Sequence, residues 1–99
     1  MLQDITQGWK HTVNKSLSGA ANSSAEVIAE APCCTASGGI LLLANFGTVN
    51  FSNSAANGSP IGNFAPAQIV MVDSGGRHKD SVSSLTGGGN FSATWLRAT

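Results

Sequence analysis

The chain has 99 residues, room for one small domain with a thin stability margin, because little of so short a chain's surface disappears on folding. Hydrophobic residues make up 41% and charged residues only 10%, against about 25% charged in an ordinary soluble domain. The formal net charge is zero, which removes a general electrostatic grip on nucleic acid or an anionic membrane. No apolar run approaches the roughly 20 residues of a membrane span. The longest is Ile40-Leu41-Leu42-Leu43-Ala44. The start, Met1-Leu2-Gln3-Asp4-Ile5, has neither the basic residues nor the apolar core of a signal peptide.

Twelve glycines and no tyrosine accompany short apolar stretches, separated by turn formers at intervals of about ten residues. That spacing predicts a single all-β domain over residues 1–99, a sandwich or barrel. Disorder is the rival reading. The apolar clusters at 40–44 and 69–72, with Trp9 and Trp95, argue against it.

In chain order, Trp9, His11 and Val13 alternate and predict a strand over residues 9–14. Residues 16–24 are rich in Ser, Gly and Asn and read as a loop. Residues 25–31 carry signals of both kinds. Ser23 with Glu26 is a capping-box pattern, and Ala and Glu favour helix. Pro32, however, closes the stretch before a helix can hold itself. An extended reading places Glu26, Ile28 and Glu30 on one face. Next come a loop with Cys33 and Cys34, then predicted strands at 40–44 and 47–53, with Val49 and Phe51 sharing a face. Residues 53–66 are turn-rich. The last third reads as a meander: a strand at 68–73, a turn at Ser74-Gly75-Gly76, and a weaker strand at 80–85. A Gly87-Gly88-Gly89 turn then leads to a strand at 90–96 that lines up Phe91, Ala93 and Trp95.

No metal or cofactor site is expected. His11, His78, Cys33 and Cys34 fall into no zinc spacing, and the triple glycine lacks the Lys-Ser/Thr of a phosphate-binding loop. His78 and Asp80 lie near serines, but sequence proximity carries no triad geometry, and His78 reads as a solvated turn residue. Adjacent cysteines have Cα atoms ~3.8 Å apart, short of the ~4.4–6.8 Å of a relaxed disulfide. Cys33 and Cys34 are therefore expected as free thiols or as partners of another chain. Glu26 and Glu30 are the one spaced acidic pair. On a helix their Cβ atoms would lie ~5–6 Å apart, within the range of a two-carboxylate glycosidase. On a strand they would stand ~13 Å apart and form no dyad. From the residues alone, both read as solvated glutamates.

The stretch Ser24-Ala25-Glu26-Val27-Ile28-Ala29-Glu30-Ala31-Pro32 resembles the Ala-Glu-aromatic-Ile-x-Glu motif of the glutamic endopeptidases, the eqolisins. Leu43-Ala44-Asn45-Phe46-Gly47-Thr48-Val49-Asn50-Phe51-Ser52-Asn53 is similar to a strand pair of that family. Ala67-Gln68-Ile69-Val70-Met71-Val72-Asp73 and Phe91-Ser92-Ala93-Thr94-Trp95 are similar to its following and terminal strands. The likeness runs from about residue 4 to residue 96, in register, and corresponds to the C-terminal half of the family's domain. It implies a concanavalin-like antiparallel β-sandwich of two sheets, present here in part, with residues 25–31 as a strand. It further implies a secreted acid endopeptidase acting on polypeptides, with no cofactor. Its catalytic pair is a glutamate and a glutamine. The glutamate matches Glu30, and Glu26 and Ile28 would line the cleft beside it.

Such a pair makes chemical sense. A carboxylate takes a proton from the attacking water and returns it to the leaving amine, while a side-chain amide donates to the tetrahedral oxyanion. Val27 stands where the family has an aromatic residue. Gln3, Gln7 and Gln68 do not fall at the family's catalytic glutamine, which lies in the other half. The chain is thus expected to supply one member of a two-member site and to be inactive alone, self-associating through open sheet edges. The alternatives are a non-catalytic sandwich module presenting Trp9 or Trp95 to a sugar, and an incomplete fragment that assembles with another chain. Sequons begin at Asn14, Asn22, Asn50, Asn57 and Asn90, and a chain this rich in Asn and Ser forms them easily by chance.

Overall fold

The computed structural model describes residues 2–21, 23–32 and 35–99, so Cys33 and Cys34 lie outside the described residues. Seven strands occur among them: β1 (Leu2–Asp4), β2 (Trp9–His11), β3 (Thr48–Phe51), β4 (Ala55–Ala56), β5 (Ser59–Pro60), β6 (Asp80–Val82) and β7 (Phe91–Trp95). A single 3-10 turn spans Ile61–Phe64, and no described residue is α-helical. Every strand pairing is antiparallel, and no barrel closes. The chain is all-β, part of a β-sandwich.

Its centre is a three-stranded sheet with β7 between β3 and β6. The register sets Val49 opposite Ala93 and Phe51 opposite Phe91, with Val82 also opposite Ala93 and Asp80 opposite Trp95. Residues directly opposite share a face, so this register collects Val49, Phe51, Val82, Phe91, Ala93 and Trp95 on one side. The Phe51 and Phe91 rings stack at 4.6 Å between centroids. The Trp95 indole N–H donates to the Leu43 carbonyl at 3.3 Å, which seats Leu43 over the sheet. The opposite face carries Thr48, Asn50, Ser81, Ser92 and Thr94, with the Thr48 and Thr94 hydroxyls 3.1 Å apart. Binary patterning alone predicts this division.

The turns behave as their residues require. Asn57-Gly58 joins β4 to β5 with φ of 50° and 78°, the left-handed pair that an Asn-Gly hairpin turn uses. Gly89 is buried, and a Cβ added there would meet the Ser54 carbonyl oxygen at 2.7 Å. Only glycine fits. At the N-terminus β1 and β2 form a hairpin whose turn is held by the Asp4 carboxylate accepting the Gln7 N–H at 2.9 Å.

Three expected strands do not form. Residues 40–44 make a single ladder-like bond, Leu43 N–H to Ala98 C=O at 3.1 Å. Residues 68–73 form a Val72–His78 bridge, with Lys79 N–H to Met71 C=O at 2.8 Å and Asp73 N–H to Arg77 C=O at 3.0 Å, and a turn bond from Gly76 N–H to Asp73 C=O at 3.0 Å, but no strand. Residues 25–31, the strand implied by the family motif, carry no strand and no backbone hydrogen bond among the described residues. A strand needs a neighbour to receive its N–H and C=O groups, and no described residue bonds to this stretch in that way.

The consequence is an open molecule. Its accessible surface is 7690 Å², whereas a compact monomer of this mass exposes about 5,200 Å². Its radius of gyration is 15.9 Å, against about 13 Å for a compact domain of this length. Leu43 and Ala93 are the buried apolar residues among those described, while Val27, Ile28, Ile40, Leu42, Ile69 and Val72 remain exposed.

Candidate functional site

Glu30 stands at the end of the unpaired stretch, just before Pro32, and its side chain is exposed. It lines a pocket of about 190 Å³ together with Ala31 and Pro32. The opposite walls come from Ile40 and Leu41 and from Met71, Val72 and Lys79. Residues 30–32, 40–41 and 71–79 thus line one pocket with the motif glutamate. Neither Glu26 nor Ile28 belongs to this lining, and both are exposed. A second pocket of about 170 Å³, between the β4–β5 hairpin and the glycine turn, is lined by no titratable side chain.

The wall that carries Met71, Val72 and Lys79 is shaped by a tight turn through residues 73–77. Asp73 organises it. One carboxylate oxygen accepts the Gly75 N–H at 2.8 Å and the Arg77 N–H at 3.0 Å, and the other accepts Arg77 Nε at 2.6 Å. The Arg77 backbone N–H holds the Asp73 carboxyl below its usual value, helped by the guanidinium and the Gly75 N–H, while desolvation works the other way. Gly76 takes φ 77° to close the turn. His78 is exposed beside it, as a solvated turn residue should be.

Beyond the turn two charged residues are buried. Lys79 is 4% exposed and Asp80 3%. Asp80 receives the Met71 N–H at 2.7 Å, which satisfies it locally and ties β6 to the pocket wall. Lys79 sends its ammonium to the Leu41 carbonyl at 3.4 Å. The spacing of charges in the sequence gives no sign that either residue is inside, because burial here follows from tertiary packing of the turn. Lys79 is the pocket residue that sequence reasoning misses.

The three glutamines stay apart from this pocket. Gln68 donates from its side chain to the Ser83 carbonyl at 2.7 Å, a structural tie to the strand region after β6. Gln3 lies on β1, and Gln7 lies in the N-terminal turn. None of the three glutamines therefore lines the pocket with Glu30. Trp95 is half-buried in the sheet, as expected of a core residue, whereas Trp9 is exposed. No group of three or more His, Cys, Asp or Glu side chains that could hold a metal ion occurs among the described residues.

What this arrangement offers chemically is one exposed carboxylate and one buried lysine lining a mostly apolar pocket. No curated protein and no solved structure matches the chain. A family match does exist, and it covers the motif stretch, the pocket walls and the central sheet together. The description of that match is the Peptidase A4 family, and it extends over residues 2–95. With the glutamate motif, the antiparallel β architecture and the match in agreement, the chain belongs to the Peptidase A4 family, the glutamic peptidases.

Proposed function

We propose that this chain supplies the glutamate half of a secreted glutamic endopeptidase, with Glu30 as the group that activates water and protonates the leaving amine. The amide donor for the oxyanion, and the rest of the cleft, come from a complementary β-half outside residues 1–99. The observation that carries this reading is the placement of Glu30, the motif glutamate, at a pocket built from three separate segments. Its substrate class is polypeptide, and it needs no metal or cofactor.

Two further observations support the need for a complement. Residues 25–31 hold their backbone groups open, as a strand does before its neighbour arrives. The apolar side chains left in water, Ile28, Ile40 and Ile69 among them, are what a second half would cover. Left alone, such a surface promotes self-association.

The test joins this chain to an N-terminal half from the family and follows peptide cleavage at acid pH. Glu30→Gln should lower turnover by about 10²–10⁴-fold without unfolding the protein. Glu26→Gln should change it little. Equal harmlessness of the two, or a requirement for Glu26 alone, contradicts the assignment. The unjoined chain should cleave no faster than its Glu30→Gln variant, because loss of one oxyanion donor by itself costs ~10²–10³ in rate.

A further inference from the structure

We infer that the pocket beside Glu30 is a carboxylate-binding subsite in which Lys79 is the anchor, taking a carboxylate on a short apolar stem. Lysine normally keeps its ammonium in water while its stem lies on the surface. Lys79 does not: it is 4% exposed. Its main chain is pinned on both sides, its N–H to Met71 C=O at 2.8 Å and its C=O to the N–H groups of Leu96 and Arg97 at 2.9 and 3.2 Å. The side chain is therefore committed to the interior by its backbone.

There it is poorly matched. An ammonium has three donors. The side-chain hydrogen bond it makes among the described residues goes to a neutral carbonyl at 3.4 Å, beyond the usual range for N–H···O. The ion pair among the described residues is Arg77 with Asp73, so no described carboxylate reaches Lys79. Its neighbour Asp80 is engaged by the Met71 N–H. A buried cation so weakly partnered is unfavourable, and a negatively charged guest relieves it.

The pocket fits such a guest in size and lining. At about 190 Å³ it holds several water volumes of about 30 Å³, enough for a two- or three-carbon carboxylate. Ile40, Leu41, Met71 and Val72 give the stem apolar walls. Glu30 lines the same pocket and is exposed, so its own carboxylate disfavours a guest carboxylate beside it and favours one held against Lys79. The guest can be an acidic side chain or the C-terminal carboxylate of a peptide. That this subsite sets cleavage preference rests on the peptidase reading, whereas the binding itself does not.

The test titrates the full chain, ¹³C-methyl-labelled at Met and Ile, with propionate and with propionamide at neutral pH. Propionate should move the Met71 and Ile40 methyl signals and bind about tenfold more tightly than the amide, as expected of a charge-assisted contact. Ile5, remote in sequence and exposed, is the control. Lys79→Met should erase the preference, Lys79→Arg should keep part of it, and Glu30→Gln should strengthen propionate binding. N-acetyl-aspartate amide and N-acetyl-alanine then distinguish side-chain from C-terminal carboxylates. Equal response to propionate and propionamide, or a preference that survives Lys79→Met, overturns the proposal. Should Lys79→Met fail to fold, the native comparison and the Glu30→Gln arm decide between the outcomes. A Glu30→Gln variant with unchanged turnover would count against the peptidase reading and leave this binding result intact.

Discussion

Residues 48–95 and residues 12–46 obey the same chemistry with opposite outcomes. The first region places three strands side by side, so their backbone groups and apolar side chains find partners inside the chain. The second contains the longest apolar run and the glutamate motif, yet none of its described residues lies in a strand, and apart from the buried Leu43 it leaves side chains such as Ile28, Ile40 and Leu42 in water. Apolar content therefore does not separate the two. What separates them is the availability of a ladder partner within reach. The proposed function follows the same line: Glu30, the proposed base, lies in the region without a ladder partner.

The contrast can be broken by mutation. Phe91→Ala removes the stack with Phe51 at the end of the β3–β7 ladder and should cost about 2–3 kcal/mol, since the ring is half-buried. Ile28→Ala, 56% exposed, should stay within about 0.5 kcal/mol in the chain alone and become more harmful once a complementary half covers it. Denaturant melts of both variants, joined and unjoined, check this. A large cost for Ile28→Ala in the unjoined chain would erase the distinction.

Gly89→Ala probes the ordered region alone. Its Cβ would meet main-chain oxygen at 2.7 Å rather than a movable side chain, so a loss of about 1–3 kcal/mol is expected. The same denaturant melts report it, and an unchanged midpoint would mean that the glycine turn does not pack on Ser54.

The smallest effect concerns acid. Asp73 has its carboxyl held below the usual value, so its contribution is fully present above the unfolded value of ~3.9 and is lost as pH falls through the folded one. Asp73→Asn should therefore weaken the turn at mildly acid pH, with a difference that shrinks as the pH drops further. Amide exchange of Arg77 and Lys79 across that range reads the effect. A variant equally harmful at every pH would point to packing instead of charge.

The parts legible in the sequence are those that local pattern determines. Alternation locates β3 and β7 and places Val49 with Phe51 and Phe91 with Ala93, and Asn57-Gly58 and Ser74-Gly75-Gly76 mark real turns. The motif singles out Glu30 as the proposed base, and the structure puts that residue at a pocket. The apolar runs at 40–44 and 68–73 predict strands that do not form, because such runs signal burial potential without stating whether a neighbour exists. Lys79 is invisible for a related reason. Nothing in Arg77-His78-Lys79-Asp80 says which of four polar residues a turn will bury, and only the Met71 and Leu96 contacts fix that choice.

The central claim is that residues 25–31 become a strand, and Glu30 a working base, only when a complementary half pairs with them. Hydrogen exchange of these amides, measured in the chain alone and in the joined protein, tests it most directly. Rapid exchange in the first and strong protection in the second, appearing together with peptide cleavage that Glu30→Gln abolishes, is the predicted result. Protection already present in an isolated, monodisperse monomer would contradict it.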